Sequence, residues 1–365
     1  MRQFNIAAAW LVAGVLVGCG GGAGDQSPKV RFTSQVSFGD SLSDVGSYAV
    51  STITPYGGGG QYTINGTGKN WTELMAAQLG LAAPCPAQTG LNGTVFGAGV
   101  TVTNHPGCTS YAQGGARVTV AAGPGNVALD NGTNGYAQLG QLTVPITTQI
   151  DNHLAAGGFT GNEVVFVLAG ANDVFVQLGT YGAMVGGGVP PATAATTVVT
   201  SMATAGTDLV GYINTKILAN GAKYVVVVNM PDVSITPLAT ATEAGAPGSK
   251  ALINTMVTTF NSQLQTGLAN NAKVLIVDAY TVTRDEISNP AIYGLTNVTT
   301  PACDLTGAGV GATNPIRNAL MCNANNLIPG VTDHYMFADD IHPTPYSHLL
   351  LARFVSKAML VKGWL

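Results

Sequence analysis

Charge is scarce in this 365-residue chain, where Asp, Glu, Lys and Arg together make up 9% of the residues. The 14 basic and 18 acidic residues leave a net charge of −4 and form no basic run, so the chain carries no electrostatic footprint for nucleic acid or anionic lipid. Beyond the N-terminus no apolar run is long enough to span a bilayer. The Gly-x-Ser-x-Gly elbow of α/β-hydrolases is missing, because Ser43 stands where the second glycine of Gly39-Asp40-Ser41-Leu42-Ser43 would be. No Ser-x-x-Lys pairing occurs either, which argues against penicillin-recognising enzymes. There is no fixed-period repeat. The few cysteines lack close ligand spacing and no histidine cluster accompanies them, so neither a metal nor another cofactor is expected.

What is plentiful is apolar and small. Hydrophobic residues make up 46% of the chain, enough for a substantial core, and the richness in Gly, Thr, Asn and Ala is typical of exported bacterial proteins. Arg2 precedes an apolar run from Ile6 to Val17, too short for a membrane span but suited to the core of a signal peptide. The run ends in Leu16-Val17-Gly18-Cys19, which resembles a bacterial lipobox. That resemblance implies cleavage before Cys19, lipidation of Cys19, and a flexible glycine-rich tether. An exported lipoprotein, held at the outer membrane, in the periplasm or at the cell surface, is expected, with a secreted protein as the alternative.

Four cysteines remain, and an oxidising compartment suggests disulfides with three possible connectivities. Neighbours in sequence pair most economically, so Cys85 is expected to bond Cys108 and Cys303 to bond Cys322. Each bridge would close a Gly- and Asn-rich loop and contribute about 3 kcal/mol.

Taken in order, strand-like and helix-like segments alternate. Arg31 to Phe38 reads as a first strand that breaks at Gly39, and Asn70 reads as the N-cap of a helix through Trp71, Met75 and Leu79. Pro84 to Asn134 reads as a long excursion without a clear helix. Ile146, Ile150 and Leu154 recur at helical spacing. Glu163 to Ala169 and Tyr224 to Val228 read as parallel strands buried on both faces. Tyr181 to Pro191 is expected to be a loop covering the site. Ala192 to Ala219 and Gly248 to Asn270 should be helices, Lys273 to Asp278 a strand, and Asn289 to Gly330 a loop-rich segment. A last helix from about Pro345 to Val361 should pack Leu349, Leu350, Phe354 and Leu360 against the sheet. This alternation predicts an α/β sandwich around a mainly parallel sheet.

Ser41 sits where the first strand gives way to a turn, at the sheet edge where open α/β folds bind ligands. A serine hydroxyl is a weak nucleophile and requires a base, usually a histidine oriented by a third group. Asp339-Asp340-Ile341-His342 offers both. Together with Tyr111-Ala112-Gln113-Gly114-Gly115-Ala116 and Leu168-Ala169-Gly170-Ala171-Asn172-Asp173, these blocks make the chain resemble the SGNH/GDSL family of serine esterases and lipases from about Val36 onward. The resemblance implies a three-layer, flavodoxin-like α/β/α sandwich. It also implies a nucleophile at Ser41, a base at His342 oriented by Asp339, and an oxyanion hole from Ser41, Gly115 and Asn172. Asp340 is the rival of Asp339, Gly114 that of Gly115, and His334 that of His342. The expected organisation is a signal peptide over 1–18, a tether over 19–29 and one hydrolase domain over 30–365.

The other polar residues receive plainer assignments. Asp40 and Asp44 should fix the turn through local bonds to backbone. His105, His153 and His348 are expected to be structural or exposed, and Trp71 and Phe96 to pack in core or loop. The Asn-x-Thr triplets at Asn65, Asn70, Asn92, Asn131 and Asn297 are by-products of composition. The leading functional expectation is hydrolysis of lipid-like or other acyl esters. The alternatives are an acetyl esterase on polysaccharide, an acyltransferase, and a surface lipoprotein with a binding role. The expected partners are a small-molecule or lipid ester and a membrane reached through the lipid anchor.

Overall fold

The structure is a computed structural model that describes residues 30–93, 99–130, 137–308 and 313–365. The leader, Cys19 and the tether lie outside the described residues, as do Phe96 and Asn131. Strand β1 spans Gln35–Gly39 and is followed by helix α1, Trp71–Gln78. Strands β2, Gln88–Leu91, and β3, Val100–Asn104, pair antiparallel in the excursion expected over 84–134. Next come α2, Ile146–Ala155, β4, Val164–Leu168, α3, Ala171–Gly186, and α4, Pro191–Tyr212. After β5, Tyr224–Val228, lie α5, Pro237–Gly245, and α6, Ser249–Leu268. The chain continues through β6, Val274–Val277, and α7, Ala279–Ser288. Short strands β7, Asn297–Pro301, and β8, Tyr335–Phe337, pair in parallel before the final helix α8, Pro345–Lys362.

The central sheet is parallel, in the order β1-β4-β5-β6. Beyond β1 the segment 109–113 runs alongside as an irregular edge: Ser37 N–H donates to Thr109 O, Tyr111 N–H to Ser37 O, and Gln113 N–H to Gly39 O. Alternate strand residues serve opposite faces. Val165, Val167, Val225 and Val227 pack with Ile150, Met202, Met256 and Phe260 of the helices on one side. Phe166, Leu168, Val226 and Val228 pack with Trp71, Met75, Val355 and Met359 on the other. The result is an α/β sandwich, as the alternation predicted, with the three layers that the family resemblance implied. Burying each such side chain contributes about 1.5–3 kcal/mol, which explains why β4 reads as an unbroken apolar run.

Two local expectations fail. Residues 181–186 are the C-terminal part of α3 and not a loop. Their glycines lower helix propensity, but Phe175, Leu178 and Tyr181 recur on one face and pack against the main core, which overrides the local preference. Leu360 points outward and is 61% exposed, whereas Leu350, Val355 and Met359 carry the packing of α8. Cys85 lies against Cys108, and Cys303 against Cys322, with Cα–Cα separations of 5.1 and 5.9 Å, as the economical pairing expected. Among the described residues no helix is long and apolar enough to cross a membrane.

Candidate active site

The site forms at the carboxyl edge of the sheet, where β1 ends at Gly39 and β4 at Leu168. Gly39 is held from both sides by one side chain: its N–H donates to Gln149 Oε1 and its carbonyl accepts from Gln149 Nε2, each at 2.9 Å. The turn that follows is built by its two aspartates, as expected. Asp40 accepts from Leu42 N–H, and Asp44 accepts from Gly46 and Ser47 N–H. Asn70, which caps α1 through a reciprocal bond with Glu73, also donates to Asp44 O, so the helix start braces the nucleophile turn.

Within this frame Ser41 Oγ lies 2.9 Å from His342 Nε2, and His342 Nδ1 lies 2.7 Å from Asp339 Oδ2. These residues are 301 positions apart at the two ends of the fold. Asp339 also accepts from the N–H groups of Ile341 and His342 through Oδ1 and from Ala319 N–H through Oδ2. Burial alone would raise the Asp339 carboxyl, but the charge of His342 and these bonds outweigh it and hold the group below its ordinary value. Asp340 is exposed and engages Leu238 N–H only through its backbone carbonyl. His334 stacks on Tyr346 and reaches Gly294 O, away from Ser41. The imidazole of His342 rests against buried Tyr62, with ring centroids 4.8 Å apart.

Gly115 and Asn172 line the same cavity as Ser41. The N–H of Gly114 is committed to Asp44 Oδ2 at 2.9 Å, whereas those of Ser41 and Gly115 donate to no acceptor among the described residues. Gly115 adopts φ +79°, and a β-carbon there would come within 2.3 Å of Pro124 O. At Gly114 a β-carbon would meet the Tyr62 ring at 2.2 Å. Both positions therefore exclude a side chain. Asn172, in the first turn of α3, donates an amide N–H to Ala116 O at 2.9 Å and lines the same cavity as Ser41. Asp173 accepts from Arg117 Nε and Val118 N–H, which fixes the Gly115 loop to the helix carrying Asn172.

Ser41, Gly115, Asn172 and His342 share a cavity of about 380 Å³. Its walls are chiefly apolar, with Leu42, Phe175, Leu178, Val233, Leu238 and Ile341 prominent. Trp71, by contrast, is fully buried in the core and donates to Ser43 Oγ. The remaining histidines are structural: His105 contacts Thr89 Oγ1, His153 contacts the Tyr111 hydroxyl, and His348 is buried on α8. Sequence reasoning did not find Gln149, Asp173, Arg117 or the reach of Asp44 to Gly114. Each acts across at least 55 residues and has no local signature. Among the described residues no cluster of three metal-binding side chains occurs.

A parallel α/β sheet with a serine, an imidazole and a carboxylate in bonded sequence at its carboxyl edge defines the class of serine hydrolases. The family described as GDSL-like Lipase/Acylhydrolase matches residues 36–355, and the chain belongs to it. The protein is accordingly a hydrolase acting on ester bonds, of a family whose general chemistry is serine-dependent ester and acyl hydrolysis. It is also similar to a member of the lipolytic protein G-D-S-L family from Veillonella parvula DSM 2008, known from a crystal structure. The two are 12% identical, the alignment covers 90% of this chain and 97% of the other, and the TM-score is 0.37. No curated protein matches the chain.

Proposed function

We propose that the protein hydrolyses carboxylic esters with an apolar acyl chain, using Ser41 as nucleophile, His342 as general base and then acid, and Asp339 to orient the ring. The observation that carries this reading is the continuous relay from Ser41 Oγ through both imidazole nitrogens to Asp339, with contacts of 2.9 and 2.7 Å. In the first step Ser41 Oγ attacks the carbonyl carbon while its proton passes to His342 Nε2. The carbonyl oxygen becomes an oxyanion that the N–H groups of Ser41 and Gly115 and the free amide N–H of Asn172 stabilise. Collapse breaks the bond to the leaving alcohol, which takes the proton from His342. Water then attacks the acyl-enzyme by the same route, releasing the acid and restoring Ser41.

The apolar cavity wall favours an acyl chain over an acetylated glycan, because polar sugar hydroxyls would find few partners there. In this reading residues 1–18 are a signal peptide and Cys19 carries lipid at the end of a tether, so that residues 30–365 form a single domain working at a membrane surface. The paired cysteines suit an oxidising compartment. The test is a panel of nitrophenyl esters of rising acyl length beside an acetylated glycan. Rising kcat/KM with chain length is expected, and turnover of the glycan alone would replace this reading with an acetyl esterase.

A further inference from the structure

One wall of the cavity is a single face of α7: Ala279, Val282, Thr283 and Glu286 recur at helical spacing, and all four face the cavity. Three of them suit an apolar chain. Glu286 does not, since its residue is only 6% exposed and its carboxyl makes no hydrogen bond or ion pair with the described residues. A buried carboxyl without a partner costs stability, and such a group in a ligand cavity is explained when a ligand supplies the partner. The other carboxyl of the cavity, Asp232, differs in this respect. It pairs with Arg284 at 2.5 Å and accepts from Ser234 N–H and Oγ, so it is already committed. Glu286 lies two helical turns, about 10 Å, beyond Ala279 and the sheet edge, which sets it at a distance from the reacting serine.

We propose that Glu286 binds a hydroxyl group on the acyl chain of the substrate, making the preferred substrates esters of hydroxylated acids. This rests on the reading of the cavity as the acyl site. The acyl group is the portion that stays attached to Ser41 while alcohol leaves and water enters, so the enclosed part of the cavity belongs to it. A hydroxyl suits the site better than an ammonium group. Burial pushes the Glu286 carboxyl up to about 7, with the neighbouring Asp285 charge adding to it, so near neutral pH the site holds the acid and carboxylate forms alike. A hydroxyl can donate to the carboxylate and accept from the acid, whereas an ammonium group needs the carboxylate alone. The hydroxyl of Thr283, one turn back on the same face, offers a second acceptor.

The experiment compares nitrophenyl esters of straight-chain acids with their ω-hydroxy and ω-amino counterparts over several chain lengths, using wild type, Glu286→Gln and Glu286→Met. At the best-fitting length the wild type should prefer the hydroxy ester over the plain ester by on the order of tenfold in kcat/KM, mainly through KM. The preference should shrink in Glu286→Gln and reverse in Glu286→Met. A wild-type preference for the plain ester, a larger preference for the amino ester, or the same ratio in wild type and Glu286→Gln would each overturn the proposal. The Gln variant keeps the size and shape of the side chain, so it decides the matter if the Met variant fails to fold. Selectivity that ignores Glu286 leaves ester hydrolysis standing, whereas absence of turnover on every ester removes both readings.

Discussion

Arg117 Nε lies 2.9 Å from Asp173 Oδ1, and both side chains are nearly sealed from solvent. Asp173 follows Asn172 in the chain, and Arg117 is two residues after Gly115, so one ion pair sets the spacing of two of the proposed oxyanion donors. Its removal separates positioning from chemistry. Removing one partner leaves the other charge buried and costs about 3–5 kcal/mol. Arg117→Met should therefore lower the melting temperature and also lower kcat, because the Gly115 loop loses its anchor to α3. Loss of stability with an unchanged kcat would make the pair a purely structural brace.

Asn172 itself offers a cleaner test of transition-state binding. Its free amide N–H has work to do only when the carbonyl oxygen carries charge, so Asn172→Ala should lower kcat by about a hundredfold to a thousandfold with little change in KM. Steady-state kinetics on one nitrophenyl ester suffice, and a rise in KM alone would make Asn172 a substrate-binding residue.

Asp40 gives the stability a pH slope. The carboxyl is wholly buried, its Oδ2 has no hydrogen-bond partner among the described residues, and burial raises it from an ordinary value of 3.8 to about 7 against the pull of Leu42 N–H and the His342 charge. Between those two values the folded chain holds a proton that the unfolded chain has lost. Asp40 is thus tolerated below about pH 4, and its contribution grows steadily more unfavourable as pH rises from 3.8 to about 7, where it levels off. Asp40→Asn keeps the acceptor for Leu42 N–H and removes the charge. Thermal unfolding should show the variant gaining on wild type as pH rises from 5 to 8, and a constant difference over that range would contradict this account.

The two cysteine pairs should differ in their effect on activity. Ala319 N–H donates to Asp339 Oδ2 and lies three residues before Cys322, so the Cys303–Cys322 loop supports the carboxylate that faces His342. Replacing Cys303 and Cys322 by alanine should lower kcat as well as stability. Replacing Cys85 and Cys108 should lower stability by about 3 kcal/mol and affect kcat less. Equal kinetic effects would remove the link between the loop and Asp339.

Local signals carried most of the fold. The apolar run of β4 announces a strand buried on both faces, Asn70 announces the start of α1, and Ser41 stands where Gly39 ends β1. The glycines of α3 misled because helix packing against the core outweighs their propensity, and this packing is not written locally. The edge segment 109–113 was hidden for a related reason. It joins β1 through three backbone bonds and has no alternating apolar pattern of its own. At the site the residues with chemistry were legible as blocks, while those that hold them, such as Gln149 on Gly39 and Asp44 on Gly114, became visible only when distant segments met. Glu286 gave no signal in the sequence, because nothing in the local pattern from 279 to 288 shows that this segment is a helix lining a cavity.

The central claim is that the oxygen of Ser41 attacks the substrate and is activated by His342. Treatment with a fluorophosphonate, followed by peptide mass spectrometry and parallel assays of ester turnover, tests it most directly. The account predicts one phosphonyl group per protein, located on Ser41, with activity lost in proportion to labelling and with both labelling and activity abolished in Ser41→Ala. Labelling at another residue, or ester turnover that survives full modification of Ser41, would contradict it.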